Sequence, residues 1–301
     1  MPLSFEKLTK FYGKTKVLDA IDMEIEKGEI LGFAGINGAG KTSTIKIASG
    51  VNFATSGDVF IDGYSITRQT KLAKMEVSWV PETPLLDPFS SPLSIFLEFG
   101  AYFGFSRHDI KEKFSDLMIR VGLEEALDKR VGSYSNGMKK RLMIAIALLN
   151  DPSNLLLDET FTGLDPQGIQ FLRSLILELK KEQKSILIST HVLSELENMA
   201  DSIAVIHNGR ILDITSVQEI MVRSIYYIKC TNPGPSAIHV LERFGNVTYE
   251  KDAYVLKPSD GSHFTPWSIG KALEDQGIQV ISIERGENLI EKYFFEKIGK
   301  T

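Results

Sequence analysis

The chain has 301 residues, 43% hydrophobic and 24% charged, ordinary globular values that exclude a disordered chain. The net charge is −5, which lacks the basic footprint of a nucleic-acid binder and is too acidic to hold an anionic membrane by charge. One cysteine, Cys230, excludes an internal disulfide, and with no Cys/His cluster for zinc it fits a reducing compartment.

The N-terminal residues Met1-Pro2-Leu3-Ser4-Phe5-Glu6-Lys7 form no apolar signal core. The greasiest runs, 142–149 and 155–157, fall well short of the ~20 apolar residues of a membrane span. The chain therefore reads as cytoplasmic. Residues 3–34 alternate like strands, broken by turns at Gly13-Lys14-Thr15 and Lys27-Gly28-Glu29. Ile30-Leu31-Gly32-Phe33-Ala34 is continuously apolar, as a buried parallel strand is. A Gly-rich loop and a helix from about Thr42 follow.

From Pro88 to about Arg130 the pattern is helical, with Phe96, Phe99, Tyr102 and Phe103 at three- and four-residue spacing. This stripe reads as helix core, with some side chains available to a partner. The spacing then predicts a helix over 135–150, a buried strand over 154–158, a helix over 167–181 and a strand over 185–189. Residues 202–207 and 210–214 flank Asn208-Gly209, a hairpin signal. Strands alternating with helices predict an α/β fold with a mainly parallel sheet. Beyond about 222 the order is strand 226–230, helix 236–244, strands 247–250 and 253–257, helix 268–276 and strand 278–284. That βαββαβ order predicts a small α+β, ferredoxin-like C-terminal domain, 222–301, closed by a helix over 288–298. It contains no convergent chemical motif, and Cys230 reads as a small buried residue in a strand.

Gly35-Ile36-Asn37-Gly38-Ala39-Gly40-Lys41-Thr42 matches G-x-x-x-x-G-K-[ST] between a strand and a helix. The glycines let backbone N–H groups face the β- and γ-phosphates of a nucleotide, and the helix N-terminus adds partial positive charge. Lys41 adds a full charge, and Thr42, followed by Ser43, is placed to bind Mg²⁺. Leu155-Leu156-Leu157-Asp158-Glu159 is an apolar strand ending in two carboxylates. Asp158 would hold Mg²⁺ and Glu159 would orient the attacking water. Apolar-then-acidic is common at strand ends, so this motif gains its meaning from the loop upstream.

Between these two motifs stands Tyr134-Ser135-Asn136-Gly137-Met138. With it, the sequence resembles the ABC ATPases, whose signature is usually L-S-G-G-Q. Ser135 and Gly137 are kept, while Tyr134, Asn136 and Met138 depart. Ser135 opens a helix able to receive an anion; from its own chemistry it could equally be only a cap. The resemblance implies that the anion is the γ-phosphate held by another subunit. It also matches Tyr12 to the aromatic that stacks on adenine, Gly163-Leu164-Asp165 to the dimer-interface segment, and His191 to the switch histidine. Glu82 stands where the family usually has Gln, beside the nucleotide and Mg²⁺. A carboxylate there cannot donate a hydrogen bond as an amide does. The matched stretch is about residues 3–215.

The resemblance implies a P-loop NTPase core of the ABC ATPase type over 1–221, with an antiparallel β subdomain and a helical subdomain inserted at about 88–150. It implies ATP and Mg²⁺ as cofactors. It implies an integral membrane transporter subunit as partner, which supplies the pore, and a second nucleotide-binding subunit in a head-to-tail homodimer. The chain would lie at the inner face of the cell membrane, with no nucleic-acid partner. Met138 and Glu82 are similar to the drug- and lipid-export branch, as is the acidic–aromatic segment Glu291-Lys292-Tyr293-Phe294-Phe295-Glu296. Two rivals are a non-transport ABC ATPase and another P-loop enzyme, such as a small-molecule kinase or GTPase. No zinc-binding cysteines, second cassette or long coiled coil between Lys41 and Asp158 favours the first. The ordered motifs disfavour the second.

Overall fold

A computed structural model describes residues 3–221, 225–250, 252–258, 265–286 and 289–299. Met1, Pro2, the expected boundary at 222 and the first residue of the expected 288–298 helix lie outside the described residues. The chain divides into two units between Ile214 and Thr215.

In the first unit, strands β1 (Leu3–Tyr12) and β2 (Thr15–Ile25) pair antiparallel, as their alternating apolar residues require. The buried strand β3 (Ile30–Ala34) leads through the Gly-rich loop into α1 (Lys41–Ala48). Next come β4 (Ser56–Ile61), β5 (Tyr64–Ser65), α2 (Thr70–Met75) and β6 (Val77–Val80). The helical stretch is α3 (Pro92–Phe103), α4 (Arg107–Arg120) and α5 (Asn136–Ala147). It is followed by β7 (Asn154–Asp158), α6 (Pro166–Lys181), β8 (Ser185–Thr190), α7 (Leu193–Glu197), β9 (Ser202–His207) and β10 (Arg210–Ser216).

Two sheets result. One is antiparallel, in the order β2-β1-β4-β5. The other runs β10-β9-β3-β8-β7-β6, with β9, β3, β8, β7 and β6 parallel. Leu3, Phe5, Leu8 and Ile21 of the first sheet share one core with Phe33, Leu156 and Leu187 of the second and Ile45 of α1. Strands β3, β7 and β8 are buried along their whole length, which explains the apolar run of β3 and the apolar centres of β7 (Leu155–Leu157) and β8 (Ile186–Ile188). Their register sets Ala34 beside Thr190 and Asp158 beside Ser189. The carboxyl ends of three adjacent strands therefore open at one place, where α/β sheets carry their ligands.

Helices α3 and α4 are bounded by chemistry visible in the sequence. Ser91 caps α3 ahead of Pro92, and Gly104 ends it at φ 81°. Ser106 and Asp109 form a capping box at α4. The aromatic stripe divides: Phe96 packs edge-on against Phe114 at 5.1 Å, while Tyr102 is exposed. The hairpin signal holds, with Asn208 and Gly209 both at positive φ. Among the described residues, no helix is long and apolar enough to cross a membrane.

The second unit contains α8 (Val217–Met221), β11 (Tyr226–Cys230), α9 (Pro235–Leu241), β12 (Gly245–Glu250), β13 (Ala253–Pro258), α10 (Pro266–Glu274), β14 (Val280–Arg285) and α11 (Leu289–Ile298). Its sheet runs β12-β13-β11-β14, all antiparallel, which is the ferredoxin-like order. Ile228, Tyr254 and Leu256 of the sheet pack with Leu241 of α9 and Leu273 of α10. Cys230 is buried in this core, and burial pushes its thiol pKa up.

Candidate functional site

The loop between β3 and α1 has its shape because two of its glycines have no room for a side chain. A Cβ on Gly35 would stand 2.7 Å from Ile206 Cγ2 and 2.8 Å from the Ile206 carbonyl oxygen. Gly40 adopts φ 113°, and a Cβ there would meet Leu18 Cδ2 at 2.6 Å. The chain thus turns tightly into α1 and presents the first N–H groups of that helix to the opening. Lys41, the first residue of α1, is buried. Its Nζ donates to the Gly35 carbonyl at 2.6 Å and the Ile36 carbonyl at 3.4 Å, and lies 3.5 Å from Glu159 Oε1.

The end of β7 faces this loop. Asp158 is 1% exposed, and Oδ1 accepts hydrogen bonds from Ser189 Oγ at 2.6 Å and Thr42 Oγ1 at 3.3 Å. Burial pushes the Asp158 carboxyl above the ordinary carboxylate range; the two hydroxyls oppose that shift and the charge of Glu159 adds to it. Glu159 follows at φ 48°, a left-handed conformation that is unfavourable for a side chain without an Asn- or Gly-like exemption. The N–H of Glu159 donates to the Ser189 carbonyl at 3.0 Å and to Ser189 Oγ at 3.1 Å. Its Oε2 accepts from the His191 N–H at 3.3 Å and lies 2.7 Å from His191 Nδ1. One carboxylate is thus held between a lysine and a histidine.

Tyr12, Asn37, Gly38, Ala39, Gly40, Lys41, Thr42, Ser43, Glu82, Glu159 and His191 line one open cleft of about 440 Å³. Val17 and Ile36 complete the wall. Tyr12 is 45% exposed, and its hydroxyl accepts from Asn52 Nδ2 at 2.9 Å. Ser135, Gly137 and Asp165 do not line this cleft. Ser135 caps α5, accepting from the Met138 N–H at 3.2 Å, and Asp165 caps α6, accepting from the Gly168 N–H at 3.0 Å. Gly137 lies against Leu164, so the three residues belong to a separate corner of the same unit.

Thr42 and Asp158 bring two hard oxygen donors together beside the loop. The carboxylates of Glu82, Asp158 and Glu159 outnumber the two lysines beside them, Lys41 and Lys140. That surplus of negative charge fits a small divalent cation; burial favours the neutral form of the Asp158 carboxyl, and a cation beside it would favour the carboxylate. Among the described residues, no three His, Cys, Asp or Glu side chains converge to hold a metal alone. An ion here would complete its shell with water and substrate oxygens, as Mg²⁺ does.

Sequence reasoning misses Lys140, Ser189 and Asn52. Lys140, on α5, is 5% exposed, and its Nζ donates to the carbonyls of Glu159 at 3.3 Å, Thr160 at 3.1 Å and Thr162. Burial pushes the Lys140 pKa down, while the charges of Glu82 and Glu159 oppose the shift. Its acceptors are backbone atoms 19 to 22 residues away, which leave no sequence pattern. Ser189 could have been suspected from its place two residues before His191.

Residues 18–162 match the family model described as "ABC transporter". The chain is 33% identical over 297 residues to the bacitracin transport ATP-binding protein BcrA of Bacillus licheniformis, covering 97% of this chain and 95% of that protein. It is 37% identical over 208 residues to the Nod factor export ATP-binding protein I of Cupriavidus metallidurans, covering 69% of each. Among solved structures, cbiO1 from Clostridium perfringens, described as part of the ABC transporter complex cbiONQ, superposes with a TM-score of 0.65 at 29% identity. That match covers 73% of this chain and 90% of the other.

Proposed function

The chain belongs to the ATP-binding proteins of ABC transporters, and from that premise we propose how its cleft performs the family's reaction. It is an ATP-binding and ATP-hydrolysing subunit, working with a membrane-spanning partner and a second ATP-binding subunit. The observation that carries the assignment of roles is Glu159, held between Lys41 and His191 at the mouth of a phosphate-binding loop.

ATP enters the cleft with its base against Tyr12 and its phosphates in the loop from Gly35 to Ser43. The loop N–H groups and the α1 N-terminus receive the β- and γ-phosphate oxygens. Lys41 turns its ammonium from the Gly35 and Ile36 carbonyls to the same oxygens. Thr42 and Asp158, with Glu82 nearby, would hold Mg²⁺, which supplies positive charge to the phosphate oxygens. Glu159 orients a water in line with the γ-phosphorus and accepts its proton as the new P–O bond forms. The bond to the β-phosphate oxygen breaks, and ADP is the leaving group. His191 fixes the Glu159 carboxylate through Nδ1, which turns its other ring nitrogen toward the γ-phosphate.

Ser135, Gly137 and Asp165 lie outside the cleft that their own chain forms. Their separate placement supports their serving the cleft of a second copy, in a head-to-tail homodimer with two composite sites. ATP then closes the dimer and hydrolysis opens it, and that difference in affinity drives the membrane partner. We assign the chain to export and to the inner face of the cell membrane, on the strength of the export relative and of the Glu82 and Met138 departures. The test is affinity purification of tagged chain from gently solubilised native membranes, followed by mass spectrometry. A stoichiometric polytopic membrane protein is expected. Recovery of only soluble, ribosomal or DNA-associated partners would refute the transport role.

A further inference from the structure

Lys140 is a buried lysine whose ammonium donates to three backbone acceptors within four residues, the carbonyls of Glu159, Thr160 and Thr162. The first of these carbonyls is the strained residue's own, and the other two lie within three positions after it. Glu159 stands at φ 48°, and such a conformation persists only where its surroundings hold it from several sides. On the amino side the hold is Ser189, which takes the Glu159 N–H through both its carbonyl and its hydroxyl. On the carbonyl side it is Lys140. Without the ammonium, the three carbonyls lose their common donor, and the peptide relaxes toward ordinary φ. The carboxylate would then swing away from Lys41 and His191.

We propose that Lys140 is a positioning residue for hydrolysis, clamping the 159–162 backbone to α5 so that the Glu159 carboxylate stays aimed at the attacking water. The same clamp ties Glu159, which serves the chain's own cleft, to the helix that Ser135 caps. The inference rests on the assignment of Glu159 to the water. It explains why a charged side chain is kept inside a core position of α5, where Ile144 and Ala147, four and seven positions on along the same face, are also buried.

The test compares Lys140→Met with the unchanged full chain for ATP turnover, ATP affinity and melting temperature. A misaimed reacting group costs on the order of 10- to 100-fold in rate. Lys140→Met is therefore expected to lose that much kcat while KM for ATP stays within about twofold, since the loop from Gly35 to Ser43 is untouched. Lys140→Arg, which keeps a buried cation and donors, is expected to recover most of the loss. The deciding measurement is the double variant. In a Glu159→Gln background, Lys140→Met is expected to change the residual single-turnover rate by less than about twofold, because the carboxylate it aims is already gone. An equal fold-loss in both backgrounds would show a structural effect unrelated to Glu159 and overturn the inference. So would a wild-type kcat in Lys140→Met beside a slow Glu159→Gln. A wild-type rate in Glu159→Gln itself would overturn the site assignment and the Lys140 inference with it. Should Lys140→Met not fold, Lys140→Gln, which keeps an amide donor, goes through the same comparison.

Discussion

Replacing Glu159 by Gln removes a charge and leaves nearly everything else in place. The side chain is buried, with one oxygen 3.5 Å from Lys41 Nζ and the other 2.7 Å from His191 Nδ1. Lys41 only donates, so the amide oxygen of Gln must face it. The amide NH₂ then takes the place of Oε2: it faces His191 Nδ1, which accepts in one tautomer, and no longer accepts the His191 backbone N–H. Breaking a buried ion pair typically costs about 3–5 kcal/mol when it strands a charge. Here Lys41 keeps the Gly35 and Ile36 carbonyls, so the cost should fall to the about 1–3 kcal/mol of a lost charged hydrogen bond. The catalytic cost is larger. A general base contributes about 10²–10⁴-fold, or roughly 3–5 kcal/mol of barrier. Meanwhile one negative charge leaves a cleft that must accept a polyanion, so ATP binding should hold or tighten. The variant is therefore expected to fold, bind ATP and hydrolyse it at least 100-fold more slowly. It should accumulate as an ATP-dependent dimer in size-exclusion chromatography. A wild-type single-turnover rate, or a monomer with and without ATP, would refute this reasoning.

Three further outcomes follow from the same geometry. Lys41→Ala should lose at least tenfold in ATP affinity or turnover, because it removes the ammonium that lines the cleft and one of the two side-chain partners of the Glu159 carboxylate; calorimetric titration with Mg²⁺-ATP checks this. Asp158→Asn should need at least tenfold more Mg²⁺ for any remaining turnover, read from ATPase rates across a Mg²⁺ series; an unchanged Mg²⁺ midpoint would count against Asp158 as a ligand. Gly40→Ala should lower the melting temperature by a few degrees and weaken ATP binding, since strain at such a backbone costs roughly 1–3 kcal/mol and the added Cβ meets Leu18. Differential scanning fluorimetry with and without ATP separates the two effects.

How much of this was legible in the sequence depends on how local the cause is. Strands β3, β7 and β8 show as short runs of consecutive apolar residues because both of their faces are buried. The caps at Ser91 and Ser106 and the turn at Asn208-Gly209 lie within a few residues of what they stabilise. By contrast, β4, β5, α2 and β6 show no comparable signature. Helix α2 has six residues and β5 two, and β4 owes its state to pairing with β1, about fifty positions earlier. The aromatic stripe of α3 could not be apportioned from spacing, because whether Phe96 or Tyr102 is covered depends on where α4 lies.

The amino-acid sequence by itself determined the chemistry available to this protein. It dictates a glycine turn that can hold phosphates, a lysine and threonine at its end, two carboxylates on an apolar strand and a histidine after the next strand. Each of those signals is carried by a short stretch whose periodicity or spacing is its own cause. Only the tertiary structure decided that these stretches meet. Thr42 and Asp158 are 116 positions apart and Glu159 and His191 32, and their hydrogen bonds exist because β3, β8 and β7 lie side by side in parallel register. The tertiary structure also decided what holds Glu159 in its strained conformation. Ser189 takes its N–H, and Lys140 donates to backbone carbonyls, which every residue possesses, so no sequence pattern reveals the Lys140 contacts.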